Sequence, residues 1–267
     1  SSSSHQSVNK AVTIPDAPSD TVSCLCFSSN NAYLAASAWD STLRVWQFNN
    51  WKAEPKFYAT TDQVPILRCC FDSYDTNVYF GTTDGNIYTV PIESTAGTTS
   101  SFSGSSFGSL SSSTTSSSTT NKFGTGGSSG LKTTFGSTTQ KADPNLRSSK
   151  LVTPNCILQY YKTLGLITGL KWHSRLNSLV VATSVIDPEK GVSHALIFYF
   201  DPTQTNLTMD ILKNQLILYQ PNLKIINIDL YDDFLCVCGI QSNPNSISQT
   251  LPFLATYNLS TSPPQAN

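Results

Sequence analysis

Two adjoining stretches of this chain repeat each other at a spacing of about 44 residues. The first, CLCFSSNNAYLAASAWDSTLRVWQF, covers residues 24–48, and the second, CCFDSYDTNVYFGTTDGNIYTVPI, covers 69–92. They align without a gap: Phe27 falls on Phe71, Leu34 on Val78, Ser37 on Gly81, Asp40 on Asp84 and Leu43 on Ile87. β-Branched and aromatic residues cluster in short runs with turn signals between them, the pattern of strands. Each unit reads as strand, turn, strand, tight hairpin, strand. Asp84-Gly85 is a strong hairpin signal, because a type I′ turn needs positive φ at both central residues. Asp40-Ser41 occupies the same place in the first unit. A fourth strand per unit is expected at Lys56–Thr60 and at Cys156–Tyr161.

A β unit of this period is the size of a propeller blade. Two weaker copies follow. In LITGLKWHSRLNSLVVATS (166–184), Trp172 stands where Phe27 does and Leu179 where Leu34 does, and a further strand is expected at His194–Phe200. The last copy is LKIINIDLYDDFLCVCGI (223–240), followed after a polar loop by PFLATYNL (252–259). Helical periodicity is absent. The expected fold is therefore all-β: a propeller with about four blades and an insertion. The organisation reads as a flexible tail (1–13), blades 1 and 2 (14–93), the insertion (94–150), blades 3 and 4 (151–260) and a short tail (261–267).

The insertion announces itself by composition. More than half of residues 94–140 are Ser or Thr, and Gly and Phe take most of the rest. Such a stretch cannot bury enough apolar area to offset the entropy of ordering, so disorder is expected. Phe-Gly occurs within it at Phe107, Phe123 and Phe135. Each Phe would offer a small apolar contact on a tether, weak singly and multiplied by avidity. A Ser/Thr-rich loop in which Phe-Gly arises because Gly is abundant has the same composition.

Charge excludes one function class. Lys+Arg number 16 and Asp+Glu 17, for a net charge of -1, so the basic surplus that neutralises nucleic-acid phosphate is missing. The seven Cys include no C-x-x-C pair. The pairs Cys24/Cys26 and Cys236/Cys238 each share one face of a strand, and buried free thiols in a reducing compartment are expected. No apolar run approaches the ~20 residues needed to span a bilayer, and the first ten residues hold no signal-peptide core. G-x-S-x-G occurs only inside the Ser/Thr/Gly-rich insertion, at 104–108 and 126–130, where no strand-to-helix turn is expected. Neither H-E-x-x-H nor G-K-S/T occurs, and His173 and His194 lie beside no nucleophile at a recognisable spacing. A non-enzyme without cofactor, metal or small-molecule substrate is the expectation.

With Asp at its hairpin and Trp46 on the following strand, the unit resembles a WD repeat. In that family the hairpin Asp accepts hydrogen bonds and fixes the turn, a structural role that the resemblance gives to Asp40 and Asp84, with Ser37, Thr42 and Trp46 around them. Gln47 stands where the second letter of the Trp-Asp pair falls, and the Gly-His before the first strand is missing. The stretch 14–48 further resembles the first blade of the nuclear-pore mRNA export propellers. It shares a Pro-containing acidic lead-in (Pro15, Asp16, Pro18, Asp20) and the signature Ser37, Trp39, Asp40, Thr42, Arg44, Trp46. The mitotic-checkpoint propellers of kinetochores share this blade.

That resemblance implies a scaffold at the nuclear envelope, in the nucleus and also the cytoplasm. It would dock on a nucleoporin carrying a GLEBS-type motif and engage messenger ribonucleoprotein indirectly. Trp39, on a hairpin at the ring's rim, would receive the partner peptide; packing on a neighbouring blade is its other reading. Arg44, pointing outward from an apolar strand, is the second candidate partner contact. Since the family ring has seven blades and four are counted here, a fragment or a ring completed by a second piece is expected over a closed four-bladed one.

Overall fold

The computed structural model describes residues 13–50, 52–92, 149–159, 165–186, 189, 191–204, 214–243, 246–261 and 265–266. The Phe-Gly motifs at Phe107, Phe123 and Phe135, the rest of the expected insertion up to residue 148 and the first twelve residues lie outside them.

The described chain is a series of antiparallel meanders. Blade 1 consists of β1 (Val22–Phe27), β2 (Tyr33–Ala38), β3 (Thr42–Asn49) and β4 (Lys52–Thr60). Blade 2 begins with β5 (Ile66–Phe71), β6 (Asn77–Thr82) and β7 (Ile87–Pro91). The chain then returns through β8 (Lys150–Val152), which pairs parallel to β4 on the outside of blade 1, before β9 (Asn155–Leu158) completes blade 2 beside β7. The inserted stretch thus interrupts blade 2 rather than separating blades 2 and 3. Blade 3 is β10 (Leu166–His173), β11 (Ser178–Ile186), β12 (Ser193–Phe200) and β13 (Leu216–Pro221). Blade 4 is β14 (Leu223–Tyr231), β15 (Phe234–Asn243), β16 (Ser246–Asn258) and β17 (Gln265–Ala266).

The sequence alignment of the units is also their register. Phe27 faces Leu34 across β1–β2, Phe71 faces Val78 across β5–β6, and Trp172 faces Leu179 across β10–β11. A finer repeat lies beneath it. Every first strand bulges at one residue, namely Ser23, Leu67, Thr168 and Ile226. Just past each bulge the second strand carries a small residue: Ser37, Gly81, Ala182 and Cys238. A bulge increases the local twist and frees one residue from the ladder, which fits four identical turns of the chain around a common centre.

Period-two alternation gives the blades apolar faces that pack against their neighbours in the series. Leu43 and Val45 join Phe57, Phe71, Val78 and Phe80 in the layer between blades 1 and 2. Tyr79, Ile87, Ile167, Leu170 and Phe198 fill the layer between blades 2 and 3. Val180, Ile197, Ile225, Val237 and Tyr257 fill that between blades 3 and 4. No comparable layer joins blade 4 to blade 1 among the described residues. Equivalent positions therefore meet different surroundings: Phe71 is 6% exposed against blade 1, whereas Phe27 is 60% exposed and Leu25 62%. Ile240 and Leu254 are exposed at the other end of the series.

All seven Cys are free thiols. Cys24 and Cys26 pack against the blade 1–2 layer beside buried Cys69, and burial pushes the Cys70 thiol well above its ordinary range. Among the described residues no three His, Cys, Asp or Glu side chains converge as metal ligands would.

Candidate protein-docking site

Arg44 and Trp46 alternate with Leu43 and Val45 along β3, so they emerge on the face of blade 1 turned away from blade 2. Buried polar atoms need partners, and the lead-in 13–20 supplies them. The Trp46 ring is 3% exposed, packed with Leu34, Ala36 and Ile14, and its indole N–H donates to the Pro15 carbonyl at 2.7 Å. Arg44 Nη1 donates to Asp16 Oδ1 at 2.7 Å and to the Asp16 carbonyl at 3.2 Å, while its guanidinium carbon lies 5.3 Å from the centre of the Tyr58 ring. Ser149, at the return of the chain, hydrogen-bonds the other Asp16 oxygen. Arg44 is turned away from blade 2 but largely covered by the lead-in, its side chain 15% exposed and its charge already engaged.

The Asp40 carboxylate organises the hairpin above. Oδ1 accepts from the Thr42 amide at 3.0 Å and the Thr42 hydroxyl at 2.6 Å, and Oδ2 accepts from the Ser19 amide at 2.8 Å and hydroxyl at 3.1 Å. Burial works to raise its pKa, but these four donors outweigh that and hold it below the usual carboxylate value. Lead-in and hairpin are thereby one unit. Ser37, fully buried beneath, shares a hydrogen bond of 2.8 Å with Ser23 Oγ, whose hydroxyl also reaches the Ile66 carbonyl of blade 2 at 2.6 Å.

Trp39 sits on this platform with its amide bonded to the Thr21 carbonyl at 2.9 Å and its side chain 48% exposed. Blade 2 has Thr83 at the equivalent place, its amide bonded to the Pro65 carbonyl at 3.1 Å. The turn therefore does not require an aromatic residue, and Trp39 is an addition to it.

The second hairpin corrects the type I′ expectation. Asp84 is exposed, and it accepts from the Thr82 hydroxyl, the Asn86 amide at 3.3 Å and the Asn86 side-chain amide at 2.8 Å. Only Gly85 has positive φ (85°), and the Gly85 amide closes on the Thr82 carbonyl at 3.3 Å. The loop is thus one residue longer than a two-residue type I′ turn. It is the alternative in which a turn is followed by a left-handed residue, and the Asp84 carboxylate bridging Thr82 and Asn86 stabilises that length.

Sequence reasoning missed the opposite rim. There the loop joining the first and second strands of each blade is tied to its neighbour. Asp75 accepts the amides of Ser29 at 2.7 Å and Asn30 at 2.9 Å across blades 1 and 2, and Trp172 donates to Ser73 Oγ at 2.6 Å across blades 2 and 3. Across blades 3 and 4, Asp233 Oδ1 lies 2.8 Å from Arg175 Nε and 3.0 Å from His173 Nε2. The signal available was polar residues recurring in those turns, in SSNN, DSYD and YDD.

His173 is 1% exposed and its Nδ1 accepts the Leu176 amide at 3.2 Å, which leaves the proton on Nε2. Burial lowers its pKa, more than the Asp233 charge raises it. The folded pKa thus lies below the unfolded value of about 6.5, so its contribution is present above that value and is lost as pH falls through the folded pKa. Asp233, held low by Arg175, stays ionised in this window. Urea unfolding midpoints should drop between about pH 7 and pH 5, and His173→Gln should flatten that drop.

This geometry can be compared with known proteins. Residues 9–47 match the WD domain, G-beta repeat family. The match takes in the lead-in, β1, β2 and β3 up to Gln47, and it ends before β4. The architecture of four-stranded antiparallel blades is that of a WD-repeat β-propeller. WD repeats are generally protein-interaction modules without catalysis, and the match is consistent with a protein-binding role. No curated protein matches the chain.

Proposed function

We propose that the chain is an adaptor of the nuclear-pore mRNA export type, receiving an extended nucleoporin peptide of the GLEBS kind along the blade 1 rim. The observation that carries this reading is Trp39: a half-exposed indole on a backbone held by Asp40, Thr21 and Ser19, where the turn itself has no need of it. Rigid exposed aromatics are the usual anchors of peptide interfaces. Arg44 supports the edge by fixing Asp16 and the lead-in, and a docked peptide would run beside it. The signature Ser37, Trp39, Asp40, Thr42, Arg44, Trp46 forms one hydrogen-bonded and packed assembly, which fits its resemblance to the export propellers. Messenger ribonucleoprotein would then be carried indirectly, at the nuclear envelope.

Trp39→Ala should weaken binding to a GLEBS-containing nucleoporin fragment by about 30-fold or more, the effect of losing an anchor of about 2 kcal/mol. The thermal midpoint should not move. Equal loss of binding and stability would mean the indole is only packed. Capture of a checkpoint kinase peptide, with no nucleoporin binding, would place the chain with the kinetochore propellers instead.

A further inference from the structure

We infer that Arg68 is a latch at the centre of the blades and that it is what holds the last blade to the first. Its side chain leaves β5 just past the bulge and donates to four carbonyls. Nε reaches the Thr168 carbonyl at 2.8 Å, and Nη1 reaches those of Leu67 at 2.8 Å and Ser23 at 3.5 Å. Nη2 reaches the Ile226 carbonyl at 2.7 Å. These acceptors are the bulge residues of all four first strands, one per blade. A bulge frees its residue from ladder pairing, so the fourfold repeat of the bulge gathers carbonyls that need donors. Only a guanidinium, with its planar fork of N–H groups, can serve four of them at once. The residues at the same register in the other blades, Cys24, Gly169 and Asn227, are too short to do so.

The bonds are not of equal consequence. Blades 1 and 2, 2 and 3, and 3 and 4 are joined by continuous apolar layers, whereas blades 4 and 1 have none among the described residues. One planar group touching both Ser23 and Ile226 keeps their strands within the ~10 Å of face-packed sheets. With Arg68 in place there is no room at the centre for another first strand between blades 4 and 1. Admission of further blades, from this polypeptide or another, requires the side chain to withdraw.

The native thiols report on this. Cys236 and Cys238 lie on the face of blade 4 opposite Leu235 and Val237, which pack on blade 3, and both thiols are half-buried; Cys69 and Cys70 are buried in the packed layers. Maleimide labelling of the full chain, read by mass spectrometry, should speed up at Cys236 and Cys238 in Arg68→Met. The expected factor is about tenfold or more, that of losing a charge-assisted hydrogen bond. Cys69 and Cys70 should keep their wild-type rates. Arg68→Lys, which keeps the charge on one nitrogen, should fall between. Unchanged rates at Cys236 and Cys238, or equal acceleration at all four thiols, would overturn the latch. If neither variant folds, wild-type protein in sub-denaturing urea decides. Acceleration at Cys236 and Cys238, relative to their rates without urea, at urea concentrations that leave the rates of Cys69 and Cys70 unchanged supports the latch, and acceleration of all four thiols together overturns it.

Discussion

Phe80→Ala should lower the free energy of unfolding by about 3–5 kcal/mol, the usual cost of emptying a buried phenyl site. Phe80 is completely buried, and its ring stacks on Tyr88 with centroids 5.3 Å apart. It lies in the layer where β6 faces Val45 and Phe57 of blade 1. Two hydrogen-bonded sheets line the resulting space, and neither can collapse into it without breaking its ladder, which argues for the upper end of the range. Urea denaturation measures the effect as a shift in midpoint at constant slope. Tyr74→Ala is the control: its ring is 77% exposed, and the change should stay within about 0.5 kcal/mol.

The second large effect comes from adding atoms. A Cβ at Gly81 would lie 2.4 Å from Cγ2 and 2.7 Å from Cβ of Ile167, the facing residue of blade 3. Gly81→Ala should cost about 1–3 kcal/mol through overpacking. Because the Ile167 Cβ is itself too close, trimming that residue cannot remove the clash. Adding Ile167→Ala to the Gly81→Ala background should therefore lower the midpoint further. Recovery of stability in the double variant would show that the blades simply slide apart.

Those two neighbours, Phe80 and Gly81, mark what could and could not be read beforehand. The alignment of the repeats was visible in the sequence, because alternation and hairpin residues are local signals: Phe71 on Phe27 and Gly81 on Ser37 hold in the observed register, whereas the bulge facing Gly81 left no local mark. Burial of equivalent residues was not, since Phe27 and Phe71 differ only in whether a blade lies beyond them. At the candidate site, Trp39 and Asp40 were legible as hairpin residues. The engagement of Arg44 by Asp16, 28 positions away, was not, because it depends on where the lead-in folds back. The length of the Asp84 loop turned on side-chain hydrogen bonds that a dipeptide rule does not weigh. Arg68 was the least legible of all. A lone Arg in an apolar strand carries no local mark of four carbonyls drawn from strands up to 158 positions apart.

The route of β8 and β9 makes blade 2 common property of the two halves of the polypeptide. Its first three strands precede residue 93 and its outermost follows residue 148, while blade 1 borrows an outer strand from the same late stretch. A backbone cut between those positions would sever the chain without separating the pieces. Each would still hold the other by a strand on two adjacent sheets, so the stretch between them can be lengthened, exchanged or cleaved while the blades remain knit.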